Sequence, residues 1–532
     1  MRTPLRTILG LKTVLSVTAL AGALGLGTAQ AQNLTMAVGA APTSVDPHYH
    51  LLSPNLSLSA HFFDSLVERD DKNRLIPGLA VSWKLVADDI WEFRLRPGVK
   101  FHNGAAFTAE DVAYTIARVP TVVNSPGSFA IYTKPVTGVE IVDATTVRLK
   151  TDGIYPLLPS DLSQVKMLPR GLGPAPATED FNSGKNAIGT GAYRITAFRP
   201  GDRAELVRNE AFWGPKPHWQ TITYRFIAND GARTAALLAG DVAFIEAVPT
   251  TDAARLRTDK RVHLSETNSS RIVYLWLDRS RQGGSPFLTG PNGEILDKNP
   301  LNDLRVRQAL SFAINRPAIV ERVMENAAIP SGQFLPPGSY SYVPGLNPPA
   351  FDAQKAKKLL ADAGYPNGFR ITLHGPNDRY VNDAKIIQAV GQMWTRIGVQ
   401  TSVEPLTWPA FIGRANKQEF SAFLLAWGTS SGEASNPLRA LIHTPDKARG
   451  WGSANRPHYS NPAIDALIVK AMSTGDDGAR EKILQQATRM AMEDVAFIPL
   501  HIQKNIWGMK PGLTYVARVD EETHAMDLRP VK

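Results

Sequence analysis

Amphipathic helices and short apolar strands alternate along the second half of this 532-residue chain. Apolar residues at i, i+3 and i+4 spacing predict helices over 303–312, 316–324, 353–363, 384–397 and 462–472. Short apolar runs predict strands over 370–373, 400–403 and 422–426. Elements in this order build layered α/β domains, and the length calls for two to four packed units.

The first half is richer in strands. Residues 91–96 alternate strictly, which predicts a half-buried strand with Trp91, Phe93 and Leu95 on one face. Thr108, followed by an acid three residues on, predicts the start of a helix that runs to Ile116. Helical spacing also extends over 58–66, and an apolar segment at 497–506 predicts a late strand. The whole is expected to be mixed α/β.

Composition excludes several classes of chemistry. The chain has no Cys, so it has no disulfide scaffold, thiolate metal site, iron–sulfur cluster or thiol nucleophile. The formal charge is +9, of which three charges lie in the first 31 residues. The basic residues are scattered and form no stripe interleaved with aromatic residues, which argues against nucleic-acid binding. Neither a phosphate-binding loop nor a complete dinucleotide fingerprint is present, and we expect no cofactor.

The N-terminus has the pattern of an export signal. Arg2, Arg6 and Lys12 precede an apolar stretch over 13–27, and an Ala-x-Ala site ends at Ala31. The stretch is shorter than the ~20 residues that span a bilayer. We therefore expect cleavage of a signal peptide (residues 1–31) and a soluble, periplasmic mature protein.

Two motifs suggest other chemistry. His48, His50 and His61 could hold a metal, but no carboxylate cluster accompanies them and we favour ordinary hydrogen bonds. Gly-x-Ser-x-Gly at 428–432 follows an apolar strand and places Ser430 where hydrolases carry their nucleophile, with Asp465 and His501 downstream in the required order. A secreted serine hydrolase is therefore the alternative function, although the segment after the motif is a weak start for a helix.

Four aromatic residues flank or end predicted strands, and two of them, Tyr274 and Trp276, lie next to the predicted boundary in the chain at 280–300. Trp408 and Trp427 flank one strand, and Tyr274 and Trp276 alternate at the end of another. Such residues can line a pocket between domains, or they can be core.

Several blocks together resemble the large substrate-binding proteins of ABC importers, the peptide/oligopeptide/nickel-binding family (solute-binding protein family 5). The most specific is WEFRLRPGVKFHNG at 91–104, which runs on to FTAEDV at 107–112. The others, in the family's order, are FDSLV at 63–67, LAVSW at 79–83, GTGAY at 189–193, PGD at 200–202, RNEAFWG at 208–214, VRQAL at 306–310 and AINR at 313–316. They cover nearly the whole mature chain.

The resemblance implies a type II periplasmic binding protein fold, a Venus flytrap of two hinged lobes with an extra α/β domain. Lobe I would comprise 32–72, 187–278 and 498–532, the extra domain 73–186, and lobe II 279–497. It implies a monomer without enzymatic activity, which captures a peptide-like or other small polar solute between the lobes. Its protein partner would be the permease of an ABC transporter in the inner membrane.

Matching positions imply the ligand-binding residues, which are Tyr274, Trp276, Arg379, Tyr380, Trp408, Trp427, Ser430, Glu433 and, more weakly, His501. Arg379 could bind a carboxylate with both of its guanidinium arms. Where peptide-binding relatives carry an Asp that pairs with the peptide's ammonium, this chain has Ser430, and the nearest acid is Glu433. The resemblance thus predicts weak binding of unmodified peptides, unless Glu433 replaces the missing carboxylate.

Overall fold

The computed structural model describes residues 32–429 and 431–531. Its strands are β1 (Asn33–Val38), β2 (Val67–Arg69), β3 (Leu75–Pro77), β4 (Ala80–Ala87), β5 (Ile90–Leu95), β6 (Val136–Asp143), β7 (Thr146–Thr151), β8 (Tyr193–Arg199), β9 (Arg203–Arg208), β10 (Thr221–Phe226), β11 (Phe244–Ile245), β12 (His263–Leu277), β13 (Leu288–Thr289), β14 (Ala328–Pro330), β15 (Arg370–Pro376), β16 (Gln400–Leu406), β17 (Ala422–Gly428), β18 (Ile498–Met509), β19 (Leu513–Thr514) and β20 (Arg529–Pro530).

The α-helices are α1 (Ser53–Ser59), α2 (Ala109–Arg118), α3 (Ala130–Thr133), α4 (Leu158–Leu162), α5 (Thr178–Asn182), α6 (Asp230–Ala239), α7 (Thr250–Thr258), α8 (Leu304–Phe312), α9 (Arg316–Arg322), α10 (Ala353–Asp362), α11 (Asp383–Arg396), α12 (Trp408–Asn416), α13 (Ser435–Pro437), α14 (Pro462–Met472) and α15 (Asp477–Glu493). A π-helical turn, Leu438–Ile442, follows α13. The mixed α/β class and the helices predicted in the second half of the chain are confirmed.

One sheet of twelve strands organises most of the chain. Its order is β13-β15-β17-β12-β18-β11-β1-β10-β9-β8, with β16 beside β15 and β14 beside β18. We call β11, β1, β10, β9 and β8 the first sheet half, and β17, β15, β16 and β13 the second sheet half. The long strands β12 and β18 lie between the halves and belong to both.

The ladder between β12 and β18 is interrupted where the strands pass from one half to the other. Residues His263 to Asn268 pair with β18 on the side of the first half, and pairing resumes at Ile272 on the side of the second. Ser270 in the gap donates from its backbone to Val519 O, at 2.9 Å. This β-bulge lies in the two strands that join the sheet halves, where it permits a local bend.

A separate four-stranded antiparallel sheet, β4-β5-β7-β6, is packed against α2. Phe93 and Leu95 of β5 are buried there, and Trp91 packs at the edge of the same apolar cluster, as the alternation predicts. The Thr108 backbone donates to the Asp111 carboxylate at 2.8 Å in a capping box that starts α2.

Each sheet half has its own core. The second half is covered on both faces, so successive residues of β12 are all buried: Val273, Leu275 and Leu277 belong to one apolar cluster, and Ile272, Tyr274 and Trp276 to the other. A further cluster packs on the first half, around Phe62, Phe63 and Tyr224. The domain boundaries expected from the sequence remain a prediction.

The helix predicted over 58–66 is wrong beyond Ser59, where α1 ends. The chain turns there because residues 61–63 bond to the segment 189–193: Tyr193 donates from its backbone to His61 O at 2.8 Å, and Gly191 to Phe62 O at 3.2 Å. A Cβ on Gly189 would lie 1.8 Å from Phe62 O, so this close approach requires glycine.

Candidate functional site

A cleft of about 890 Å³ lies between the two sheet halves, beside the bulge in β12. That volume is within the range of small-molecule sites. Its walls come from the chain after β1, the start of α1, the turn after β11, β12 and β18 at the bulge, and the loop before α11; representative lining residues are Gly39, Ser53, Glu246, Arg271, Tyr380 and Gln503.

The loop before α11 presents Arg379 and Tyr380 to the cleft. Asp383, in the first turn of α11, accepts hydrogen bonds from the backbone N–H of both residues, at 3.0 and 2.9 Å. Asn382 closes the loop in the left-handed conformation, with φ of 56°, which Asn tolerates better than most residues. The fold therefore fixes the place from which the Arg379 side chain projects.

The exposed Arg379 guanidinium packs on two aromatic rings. It lies 5.3 Å from the ring centre of Tyr380 and 5.4 Å from that of Trp408. These two rings contact each other edge to face, at 6.0 Å. No ion-pair partner of Arg379 is present among residues 32–429 and 431–531. A cation held on rings and left without an acid is available to an anion.

The bulge contributes a second arginine, which is already paired. Arg271 donates to both carboxylate oxygens of Glu521, at 2.8 and 2.6 Å. Burial disfavours the charged form of Arg271, but the adjacent Glu521 more than offsets this and raises its pKa. The pair therefore presents little net charge to the cleft.

The structure brings together three of the residues that the resemblance singles out: Arg379, Tyr380 and Trp408. Tyr274, Trp276 and His501 are instead fully buried in the second half. Tyr274 and Trp276 pack on Phe497, with ring centres 4.7 and 5.6 Å away. Burial lowers the pKa of His501 to about 3. Their role in binding remains a prediction, and in this state of the molecule they belong to the core.

Trp427, in β17, and Glu433, a few residues after it, are not among the residues that line the cleft. Trp427 Nε1 donates to Asn436 Oδ1 at 2.7 Å. Glu433 is nearly buried and accepts two hydrogen bonds from Arg480 Nη1, at 2.9 and 2.8 Å, and a further one from the Ser435 hydroxyl. The carboxylate is therefore already neutralised and hydrogen-bonded. Ser430 lies outside the described residues.

The acid and histidine of the hydrolase alternative do not meet. Asp465 accepts hydrogen bonds from the backbone and side chain of Thr444, at 3.0 and 2.5 Å. Neither ring nitrogen of His501 has a hydrogen-bond partner among the described residues. The acid–histidine pair that a catalytic triad requires is thus not formed.

The N-terminal histidines have separate partners. His48 bonds to Lys166 O and to Arg118, both at 2.8 Å. His61 bonds to Ser57 O and accepts from the backbone of Ala525, at 2.9 and 3.0 Å. His50 bonds to the Thr43 hydroxyl at 3.0 Å. These ordinary hydrogen bonds account for all three side chains.

Four polar contacts join loops and helices that follow strands of the second sheet half to residues that precede β12 in the chain. Asn382 Nδ2 donates to Thr250 Oγ1 at 3.0 Å, beside the cleft. Further along, Asn73 donates to Thr429 O, Arg69 to Ser431 O and Arg439 to the Tyr155 hydroxyl, at 3.3, 3.2 and 3.2 Å. The structure thus shows the two sides in contact.

Residues 74–449 match the family model described as bacterial extracellular solute-binding proteins, family 5 Middle. The chain belongs to this family. Relatives of family 5 with similar sequences include the glutathione-binding protein GsiB of Escherichia coli (strain K12), 26% identical over 510 residues, with 92% of this chain and 94% of the relative covered.

Solved structures of this class share the fold. The periplasmic binding protein DppA from Helicobacter pylori, in complex with peptide STSA, superposes with a TM-score of 0.76 at 22% identity, covering 94% of this chain and 98% of that one. AgaA from A. tumefaciens R10, in complex with agropinic acid, gives 0.74 at 20% identity and covers 94% and 99%. The fold expected from the resemblance is confirmed.

Several residues of this solute-binding protein's cleft carry no sequence signal of their own. Glu246, Arg271, Gln503 and Glu521 come from distant parts of the chain and meet only at the bulge. Arg271 and Glu521, 250 positions apart, form an ion pair that no local pattern indicates.

Among the described residues, no helix has both the length and the apolar character to cross a bilayer.

Proposed function

We propose that this chain is the periplasmic receptor of an ABC importer, which captures a small polar organic solute in the cleft and delivers it to the membrane permease. Membership of family 5 supports binding of a solute. The observation that carries the proposal is the cleft itself, about 890 Å³ beside a bulged pair of strands. On its wall lies the Arg379 guanidinium, which has no acidic partner within residues 32–429 and 431–531.

The receptor would work through a shift in the equilibrium between its open and closed forms. A solute that contacts both walls stabilises the closed form, because the contacts with one wall are lost on opening. The Asn382–Thr250 hydrogen bond and the contacts of Arg69, Asn73 and Arg439 are of the kind that only the closed form makes. The permease would recognise that form. The extra domain at 73–186 and the two lobes with boundaries at 187, 279 and 498 are part of this proposal.

The position of Glu433 narrows the class of solute. An ammonium held between the lobes needs an opposite charge, since an unpaired buried charge costs several kcal/mol. Glu433 already neutralises Arg480 and has no charge left to offer. We therefore propose a solute whose α-amino group is blocked or absent, and whose acidic end binds Arg379.

The chain would carry out no reaction on its solute. The separation of Asp465 from His501 removes support for the hydrolase alternative, and we do not propose it. Small-angle scattering should show a smaller radius of gyration with the bound solute, and the solute should be recovered chemically intact after long incubation. Recovery of an altered solute would contradict a receptor function.

The test is a thermal-shift screen, followed by calorimetry on the compounds that bind. The panel contains random tripeptides, the same tripeptides N-acetylated, glutathione, peptide STSA and agropinic acid. A compound at ~100 times its dissociation constant adds ~2.7 kcal/mol of stability. We expect the N-blocked acids to bind and Arg379→Gln to weaken them, by about 10-fold or more for a lost charged hydrogen bond.

Glu433→Gln is the second variant for this screen. Tight binding of free tripeptides by both the wild type and Glu433→Gln would show that the argument from Ser430 is wrong. Tight binding that is lost only in Glu433→Gln would show that Glu433 exchanges Arg480 for the peptide's ammonium.

A further inference from the structure

Glu246 presents a carboxylate to the cleft from the turn after β11. Its Oε1 accepts a hydrogen bond from the backbone of Gly39 at 3.0 Å, and its Oε2 accepts one from the Thr523 hydroxyl at 2.6 Å. Both donors are neutral. They fix the orientation of the carboxylate and leave each oxygen a second lone pair.

Among the described residues, Glu246 is the cleft carboxylate that is both shielded from solvent and without an ion-pair partner. Glu521 is paired with Arg271 at 2.6 Å, and Asp230 with Arg233 at 2.7 Å. Asp378 is exposed to solvent. Glu246 is half-buried and has no ion-pair partner in the described part of the chain.

Arg233 lies near Glu246 but donates to other groups. Its Nε bonds to the backbone oxygen of Glu246 and its Nη2 to that of Ala247, at 3.1 and 2.7 Å. Ala247 has φ of 50°, in the left-handed region that Ala disfavours. The fold thus holds this turn in a strained conformation that directs Glu246 to the cleft, without neutralising its side chain.

A half-buried carboxylate without a cation is costly. Burial raises the pKa of Glu246, although the bonds from Thr523 and Gly39 and the nearby Arg233 oppose this. A ligand cation placed between the carboxylate oxygens would remove that cost and would add charge-assisted hydrogen bonds.

We propose that Glu246 is the cation-binding residue of the cleft, and that the solute carries a basic group, an ammonium or guanidinium, away from its acidic end. The inference rests on the proposed function, in which the acidic end contacts Arg379 and no α-ammonium is held at Glu433. Together the two residues select an N-blocked carboxylic acid with a distal basic group.

The experiment compares matched acids by calorimetry on the mature protein. The probes are Nα-acetyl-lysine and Nα-acetyl-alanyl-lysine, each against its norleucine counterpart, which lacks only the ammonium. We expect the wild type to bind the lysyl member of a pair at least tenfold more tightly. Glu246→Gln, which is isosteric, should abolish that preference. Asp241→Asn, an exposed acid outside the cleft, should retain it.

Two results would overturn the inference. One is a preference for lysine that survives Glu246→Gln, and the other is equal or absent binding of both members of each pair by the wild type. Urea unfolding of Glu246→Gln shows whether the variant is folded. The proposed receptor function is judged separately, by the screen of peptides and opine, so it can stand where this inference fails.

Discussion

Arg480 holds both carboxylate oxygens of Glu433 through a single guanidinium nitrogen, Nη1, at 2.9 and 2.8 Å. The side chains of the pair are 7% and 8% exposed. Arg480 also lies over the ring of Tyr340, 4.9 Å from its centre. The two charges therefore neutralise each other three residues after Ser430, the position where the resemblance places the ammonium-binding Asp of peptide-binding relatives.

Arg480→Met should destabilise the protein by about 3–5 kcal/mol, because it leaves the Glu433 charge buried without a partner. The double variant Arg480→Met with Glu433→Gln should recover most of that loss. Urea unfolding of the two single variants, the double variant and the wild type measures the coupling. Equal stabilities of Arg480→Met and the wild type would contradict a buried ion pair.

We expect ionisation of the Asp161 carboxyl group to lower the free energy of unfolding as the pH rises from about 4 to about 6. Burial raises its pKa to about 6 against the pull of Arg439 and the hydrogen bond from Tyr155, whereas an unfolded Asp titrates near ~3.9. The folded form thus binds the proton more tightly, and its advantage is lost as the pH passes through the folded pKa.

Asp161→Asn replaces the titratable carboxyl group with an amide that binds no proton in this pH range. Its free energy of unfolding, relative to the wild type, should increase by about 1–3 kcal/mol between pH 4.5 and pH 7.5. Asp152→Asn, at an exposed position, is the matched control. A difference that stays constant with pH would exclude this role of Asp161.

Thr250→Val should weaken solute binding without unfolding the protein. The substitution is nearly isosteric and removes the hydroxyl that accepts from Asn382 across the cleft, at 3.0 Å. A net hydrogen bond of about 1 kcal/mol corresponds to a loss of about fivefold in affinity. Calorimetry with any compound that binds in the screen measures this change in affinity. Thr514→Val, at an exposed position, is the control. Unchanged affinity would show that this contact does not contribute to closure.

The exported protein should begin at Gln32. Gln32 accepts a backbone hydrogen bond from Gln220 at 2.6 Å, so the fold uses the residue directly after the predicted cleavage site. The signal peptide itself lies outside the described residues. Mass spectrometry of protein recovered from the periplasm gives the N-terminus, and a start well upstream of residue 32 would refute cleavage after Ala31.

Periodicity predicted the elements of this chain better than it predicted which of their faces bind. The alternation of Tyr274 and Trp276 correctly indicates a strand with both residues on one face. That face is covered by Phe497 and its neighbours, and a period of two cannot tell a core face from a pocket face. The spacing over 58–66 is helical, but bonds to 189–193 decide the conformation after Ser59.

The cleft was only partly predictable for a similar reason. Arg379 and Tyr380 lie in a loop before a recognisable helix, and the resemblance located them. Glu246 follows a two-residue strand, and its environment is made by Gly39 and Thr523, 207 and 277 positions away. Only the assembled sheet brings these groups together.

Because of the interruption between Asn268 and Ile272, solute preference and the ease of closure can be altered by different substitutions. Substitutions on the cleft walls change which solute is preferred and leave the bending of the strands as it was. Substitutions at Ser269 and Ser270, residues of the interruption that do not line the cleft, would change how readily the halves meet and so would scale the affinity for every solute by one factor. A descendant of this chain could therefore change its solute specificity without changing how the halves close. It could equally change its affinity without changing which solute it prefers.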